Sequence, residues 1–214
     1  MRVVITAGPT REHLDPVRFL SNPSTGKMGF AIAAEAARRG HEVVLVAGPV
    51  ALKTPKGVRR VDVVSAREML AAVCDALSSR AAVFISTAAV ADWRPARCAA
   101  KKLKKGEMSG VLKLVRNPDI LKTVARRRGR RTGNPRLVGF AAETNDVLKE
   151  AARKCREKGL EFIVANDVTQ KGSGFGTDTN RVTFVFPDGR MRNFPLMTKR
   201  MVAKRILEEV EDER

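Results

Sequence analysis

The segment Ser21-Asn22-Pro23-Ser24-Thr25-Gly26-Lys27-Met28-Gly29 concentrates groups that could do chemistry. It is a polar loop opening a helix. Free backbone N–H groups at a helix start suit a phosphate. Asn22 offers both a donor and an acceptor, which suits a carboxylate or an acyl phosphate. The same residues can also serve structure alone, with Ser24 or Thr25 as an N-cap and a glycine for close packing. Arg18, just upstream, is either a ligand cation or an ordinary ion-paired arginine. Asp92 follows Thr87-Ala88-Ala89-Val90-Ala91, small residues that would let a flat base or a ribose approach the backbone. An acid at that place can bind a ribose hydroxyl, bind a metal on phosphates, or cap a turn. Lys101-Lys102-Leu103-Lys104-Lys105 puts four ammonium groups in five residues, as an anion clamp or a solvated charge run. Arg126 to Arg131 is denser still and reads as an exposed loop after a helix, where cations complement the dipole.

These groups need a frame, and the hydropathy pattern supplies one. Uncharged β-branched runs at 3–6, 43–46, 82–86, 137–141 and 161–165 predict strands, and 112–115 a short alternating one. Helical periodicity covers 29–39, 66–77, 119–127, 146–158 and 197–210, with Gly40 and Gly159 as stops. Uncharged strands spaced by helices predict an α/β fold, a Rossmann-like, mostly parallel sheet with helices on both faces. Residues 182–186 and 191–194 flank Pro187-Asp188-Gly189, a hairpin signal, so antiparallel additions are expected within a single domain spanning 1–214. Asn117-Pro118-Asp119-Ile120-Leu121, Gly139-Phe140-Ala141-Ala142-Glu143-Thr144 and Ala165-Asn166-Asp167-Val168 would then converge on one edge of the sheet.

Composition bounds the rest. With 43% hydrophobic and 30% charged residues, the 214-residue chain is neither disordered nor a membrane protein. Its longest nearly uncharged apolar run, 81–91, is far short of the ~20 residues of a spanning helix. No secretion signal is read at the start. Three cysteines (Cys74, Cys98, Cys155) and two histidines exclude a disulfide scaffold and a four-cysteine zinc site, and a cytoplasmic setting is expected. Lys plus Arg number 41 against 23 acids, a net charge of +18, so polyanions or phosphorylated ligands are attracted. A nucleic-acid module fits that charge, but aromatics are only 5% with no Tyr, so a base-stacking platform is poorly supplied. A nicotinamide reductase would want Gly-x-Gly-x-x-Gly, which is absent. A phosphate loop also fails, because Met28 follows Gly26-Lys27 and Ser21 stands where its first glycine belongs. His13 and His41 have no evident nucleophile partner.

Eight collinear motifs carry a resemblance across essentially the whole chain: ITAGPTRE (5–12), DPVRFLSN (15–22), STGKMG (24–29), AAVADW (88–93), KKLKK (101–105), NPDIL (117–121), GFAAET (139–144) and ANDV (165–168). Together they closely resemble the phosphopantothenate–cysteine ligases of coenzyme A biosynthesis, in their bacterial, CTP-using form. The resemblance implies that 4′-phosphopantothenate is activated by CTP as an acyl-cytidylate, with Mg²⁺ on the triphosphate. L-cysteine then displaces CMP. Asn22 looks like the asparagine that holds the acyl-cytidylate, Arg18 like the arginine of the second half-reaction, and Lys102 like the essential lysine of a flap. Ser86, Thr87 and Ala88 look like the backbone that reads cytosine. Asp92, Pro118, Asp119, Ile120, Leu121, Phe140, Lys154 and Lys158 fall on nucleotide-contacting positions, with Mg²⁺ expected near Asp92. The resemblance also implies a homodimer made through antiparallel and flap segments at about 94–116 and 170–195. Many bacterial relatives carry a flavin-dependent decarboxylase. Nothing in this chain resembles it, so no flavin is expected here and the decarboxylase is expected as another domain or partner. Neither nucleic acid nor membrane is expected as a partner. Pro23 and Thr25 depart from the family's usual residues while keeping a tight polar loop, and Arg126–Arg131 has no counterpart in the pattern.

Overall fold

A computed structural model describes residues 1–78, 81–107, 110–128, 135–143, 146–170 and 172–212. In chain order the elements are β1 (Arg2–Ala7), β2 (Arg11–His13), β3 (Phe19–Ser21), α1 (Lys27–Arg38), β4 (Glu42–Ala47), β5 (Val58–Asp62), α2 (Ala66–Ser78), β6 (Val83–Ser86) and β7 (Trp93–Pro95). There follow β8 (Leu114–Arg116), α3 (Ile120–Arg127), β9 (Arg136–Glu143), α4 (Val147–Lys158), β10 (Phe162–Asp167), β11 (Thr179–Asn180), β12 (Val182–Val185), β13 (Met191–Asn193), β14 (Met197–Thr198) and α5 (Lys199–Glu211). Residues 129–131 of the arginine run, and Thr144, lie outside the described residues.

Eight strands form one sheet in the order β13-β12-β10-β9-β6-β1-β4-β5. The six strands from β10 to β5 pair in parallel, and β12 and β13 join antiparallel at one edge. Strand order reverses between β1 and β6, which are neighbours although β4 and β5 intervene in sequence. That reversal opens a crevice at the carboxyl edge, the place where doubly wound sheets take ligands.

Side chains of β1 show why the sheet is covered on both faces. Val3 and Ile5 face one core with Phe30, Ile32 and Ala33 of α1 and Val202, Ile206 and Leu207 of α5. Val4 faces the other core, with Met69 and Val73 of α2, Val124 of α3 and Cys155 of α4. Alternate residues of an extended strand point to opposite faces, so a strand buried twice must be apolar throughout.

The predicted hairpin at 182–194 forms, and its register places it on the main sheet. Three further two-stranded pairs stand apart from that sheet: β2–β3, β7–β8 and β11–β14. The β5 strand, with sequence VRRVD, escaped the hydropathy reading because it is a charged edge. Arg60 there stacks 5.3 Å from the Phe30 ring and donates to the Leu52 carbonyl at 2.7 Å.

Gly29 sits where α1 meets the sheet. A Cβ there would lie 2.5 Å from the Ala7 Cβ, 2.6 Å from the Thr87 hydroxyl and 3.0 Å from the Thr6 carbonyl oxygen. None of these can swing aside as a long side chain would. Gly29→Ala is therefore expected to lower stability by about 1–3 kcal/mol through overpacking. Urea denaturation reads this as a lower midpoint at constant slope, and an unchanged midpoint would contradict the close approach.

Candidate functional site

A cavity of about 530 Å³ opens at the carboxyl edge of the sheet, over the crevice between β1 and β6. Its walls come from the loop into α1, the 86–92 segment after β6, the 117–121 segment into α3, and the ends of β9 and β10. The three motifs converge on the cavity, 139–142 and Asn166 as the ends of parallel strands β9 and β10, and 117–121 as the connection from β8 into α3 held against 86–92. Of the fourteen site residues carried over from the resemblance, twelve line this cavity: Asn22, Ser86, Thr87, Ala88, Asp92, Pro118, Asp119, Ile120, Leu121, Phe140, Lys154 and Lys158. Arg18 and Lys102 do not.

The loop into α1 is open to a ligand. Its cap is Gly26, in left-handed backbone at φ 77°, with no side-chain cap. Ser24 Oγ accepts from the Gly26 N–H at 3.4 Å, so neither Ser24 nor Thr25 closes the helix N-terminus as an N-cap. The positive end of the α1 dipole thus faces the cavity. Asn22 donates from Nδ2 to the Ala89 carbonyl at 3.0 Å, and Ala89 in turn donates to the Gly8 carbonyl at 2.9 Å. The Asn22 amide is thereby fixed at the switch point.

The side of the cavity formed by 86–92 and 117–121 is held by short polar ties. The Thr87 hydroxyl donates to the Thr6 carbonyl at 2.6 Å, and the Ala88 N–H donates to the Thr6 hydroxyl at 3.3 Å. Asn117 donates from Nδ2 to the Ala91 carbonyl at 2.8 Å, and its backbone N–H reaches the Asp92 carbonyl at 2.7 Å. These bonds lock 117–121 against 86–92. Asp119 caps α3 by accepting from the Lys122 N–H at 2.9 Å, and its other oxygen accepts from Lys158 Nζ at 2.8 Å. Burial opposes ionisation of Asp119, but the Lys158 ammonium and the Lys122 N–H outweigh it and hold the carboxyl below its usual range.

Four lysines (Lys27, Lys154, Lys158, Lys199) and two aspartates (Asp92, Asp119) are the charged groups lining the cavity among the described residues. The balance is cationic, as a site gathering several anions requires. Lys27 belongs to the 21–29 segment read from sequence, though with no role of its own, and Lys199 carries no such signal. Lys27 Nζ donates to the Gly176 carbonyl and to Asp178, both at 2.8 Å. Lys199 is 7% exposed and donates to the carbonyls of Gly174 and Thr177. Burial, with the Lys27 charge adding, pushes the Lys199 ammonium pKa down against the opposing Asp178. Each lysine opens a helix, Lys27 in the loop that itself lines the cavity and Lys199 at the start of α5, where the chain crossing at 174–178 meets it.

Arg18 forms a different kind of centre. Its guanidinium donates to the fully buried Asp15 carboxylate from Nε at 3.0 Å and Nη2 at 2.6 Å, and to the Leu103 carbonyl at 2.9 Å. Asp15 also accepts from the Leu103 N–H at 3.2 Å. The Arg18 guanidinium, aided by backbone N–H groups, holds the Asp15 carboxyl far below the usual carboxylate range. This pair anchors the lysine-rich segment to the β2–β3 connection. Lys102 is exposed on that segment.

The histidines are structural. His41 meets Glu211 at 2.6 Å, and His13 contacts the Asp15 carbonyl at 3.2 Å. Burial pushes the Cys155 thiol up to about 11, which makes it a poor nucleophile. Among the described residues no three His, Cys, Asp or Glu side chains gather as a metal cage, and no helix is long and apolar enough to cross a membrane.

Residues 1–213 match the family model described as DNA/pantothenate metabolism flavoprotein C-terminal domain. The chain belongs to this family. Its relatives include the Coenzyme A biosynthesis bifunctional protein CoaBC of Escherichia coli strain K12, 49% identical over 213 residues, covering 98% of this chain and 51% of that protein. The protein of the same name from Bacillus subtilis strain 168 is 47% identical over 209 residues, 97% of this chain and 50% of that one. The chain thus spans about half the length of the curated relatives it matches. Among solved structures, the crystal structure of the C-terminal domain of CoaBC is 44% identical, with TM-score 0.82 over 98% of this chain and 93% of that one. A Cab2 variant in complex with phosphopantothenate-cysteine is 16% identical with TM-score 0.78 over 98% and 86%, a likeness of fold.

Proposed function

We propose that the protein joins 4′-phosphopantothenate to L-cysteine with CTP, giving 4′-phosphopantothenoylcysteine, CMP and pyrophosphate. The observation that carries this reading is the cationic cavity at the switch point, lined by twelve of the fourteen residues carried over from the resemblance, in a family whose relatives are named for coenzyme A biosynthesis. In the first step a carboxylate oxygen of 4′-phosphopantothenate attacks the α-phosphorus of CTP. The bond to the β-phosphate oxygen breaks and pyrophosphate leaves. In the second, the cysteine amine attacks the acyl carbon, CMP leaves with the C–O electron pair, and the amine proton passes to solvent.

The chain's own groups serve this by position and charge. The α1 N-terminus and Lys27 face the phosphates. Asn22 orients the reacting carboxylate and then the acyl-cytidylate. The 86–88 backbone, Pro118 to Leu121 and Phe140 enclose the base, with Lys154 and Lys158 beside them. Asp92 fits a role toward the ribose or Mg²⁺. An ion held mainly by phosphates needs only one or two carboxylates, and when bound it would neutralise triphosphate charge. Arg18 organises the lysine-rich segment, and Lys102 reaches over the nucleotide from it.

The working form is proposed to be a homodimer. Val17, Phe19, Trp93, Val111, Leu112 and Leu114 are exposed apolar residues on and beside the β2–β3 and β7–β8 pairs, which pack together. A second copy covering that face would remove them from water. The bacterial relatives favour a cytoplasmic setting, and a flavin-dependent decarboxylase, in the same polypeptide or another, is the proposed partner acting on the product.

Turnover with 4′-phosphopantothenate, L-cysteine and each of CTP, ATP, GTP and UTP checks the reaction. CTP is expected to be preferred at equal concentration, whereas ATP preference would overturn the assignment of the base site.

A further inference from the structure

The β7–β8 pair grows out of the cavity wall at both of its roots. Asp92 lines the cavity and is followed directly by Trp93 of β7, while Arg116 of β8 runs directly into Asn117, which lines it too. One side chain ties these roots together. Arg94 donates from Nη1 to the Arg116 carbonyl and, at 3.1 Å, to Asn117 Oδ1. A guanidinium can only donate, so the contact decides which end of the Asn117 amide is the oxygen. Nδ2 is thereby turned toward the Ala91 carbonyl, which accepts from it at 2.8 Å. The bonded series Arg94, Asn117, Ala91 runs from the antiparallel pair into the 86–92 segment. Among the described residues the Arg94 guanidinium meets no carboxylate, so an ordinary surface ion pair does not account for its place.

Asn117 holds the two segments at two points. Its backbone N–H reaches the Asp92 carbonyl at 2.7 Å, and its side chain reaches Ala91. One bond alone would leave 117–121 able to tilt about it. The second removes that freedom, and it depends on the amide orientation that Arg94 imposes. The Arg116 guanidinium, 5.3 Å from the centroid of the Trp93 ring, braces the same roots. Resting on the ligase reading, in which the 86–88 backbone and Pro118 to Leu121 enclose the base, we propose that Arg94 is a positioning residue that sets the spacing of these two segments and so restricts the slot to a one-ring base. A two-ring base needs more room, and a site discriminates between bases only while its walls keep their separation. Arg94 touches neither base nor phosphate in this account and acts through Asn117.

Steady-state kinetics with CTP and with ATP, in the parent and in Arg94→Met, read the choice of base. The kcat/KM for CTP is expected to fall about ten-fold while that for ATP holds or rises, so the ratio of the two shrinks by about ten-fold or more. An arginine that merely stabilises the antiparallel pair would lower both nucleotides alike, and a ratio within about two-fold of the parent overturns the proposal. Asn117→Ala tests the route. Adding Arg94→Met to Asn117→Ala is expected to leave the ratio within about two-fold of Asn117→Ala alone, whereas a larger further change shows that Arg94 acts by another path and overturns it. A parent that prefers ATP overturns it as well. A parent that turns over neither nucleotide overturns the ligase reading instead. If the variants do not fold, parent crystals soaked with CTP decide. Cytosine lying against 118–121, with Arg94 Nη1 still within about 3.2 Å of Asn117 Oδ1, supports the role. A base lodged away from 118–121, or Arg94 turned from Asn117, overturns it.

Discussion

Asn22→Ala is expected to lower kcat for ligation by about 10²–10³-fold, the scale found when one preorganised polar group is removed from a reacting centre. The reason lies in how the residue is held. Its Nδ2 is committed to the Ala89 carbonyl, so the amide is oriented before any ligand arrives. The open α1 N-terminus lies a few residues on, with no side-chain cap to move aside. An interaction made mainly in the transition state lowers kcat with little change in nucleotide affinity. Calorimetric affinity for CTP is thus expected to stay within about three-fold of the parent while turnover collapses. A variant with near-parent kcat would remove Asn22 from the chemistry.

Lys102→Ala is expected to cost about 2–4 kcal/mol of transition-state stabilisation, a loss of roughly 30- to 900-fold in kcat/KM. This prediction is demanding, because Lys102 is exposed and lies outside the cavity lining. Its segment is nonetheless tethered one residue on, where Leu103 exchanges hydrogen bonds with Asp15 and Arg18. The tether fixes the root of the segment and leaves the lysine side chain to reach an anion. Comparing single-turnover pyrophosphate release in variant and parent reads the loss at the first step. A variant within three-fold of the parent would show that the segment is only solvated charge.

How far the sequence revealed this site depends on what kind of signal each part leaves. Twice-buried strands must be apolar, so β1, β4, β6, β9 and β10 stand out as uncharged runs, and their parallel pairing brings 139–142 and Asn166 to one edge, where 117–121 joins them through its bonds to 91–92. The charged β5 edge and most of the short strands of the small antiparallel pairs leave no such period; β8, at 114–116, is the one whose alternation shows, as the 112–115 run. The α1 loop reads two ways in sequence, as capped helix or anion site, because capping depends on backbone angles. The left-handed backbone of Gly26, with no side-chain cap, excludes the capped reading. The sequence offers a glycine of this loop for close packing without saying which, and Gly29 is the one so placed, since a Cβ there would meet Ala7 and Thr87. Lys199 and Asn180 carry no local signal, since their place in the cavity depends on where the 174–178 loop crosses the sheet.

The central claim is that this cavity activates a carboxylate at the expense of a triphosphate. Mixing the protein with CTP and 4′-phosphopantothenate, and leaving out cysteine, isolates that event. The account predicts rapid release of about one pyrophosphate per active site, as expected when a bound acyl-cytidylate accumulates before a missing second reactant. No pyrophosphate with CTP, ATP, GTP or UTP would contradict it.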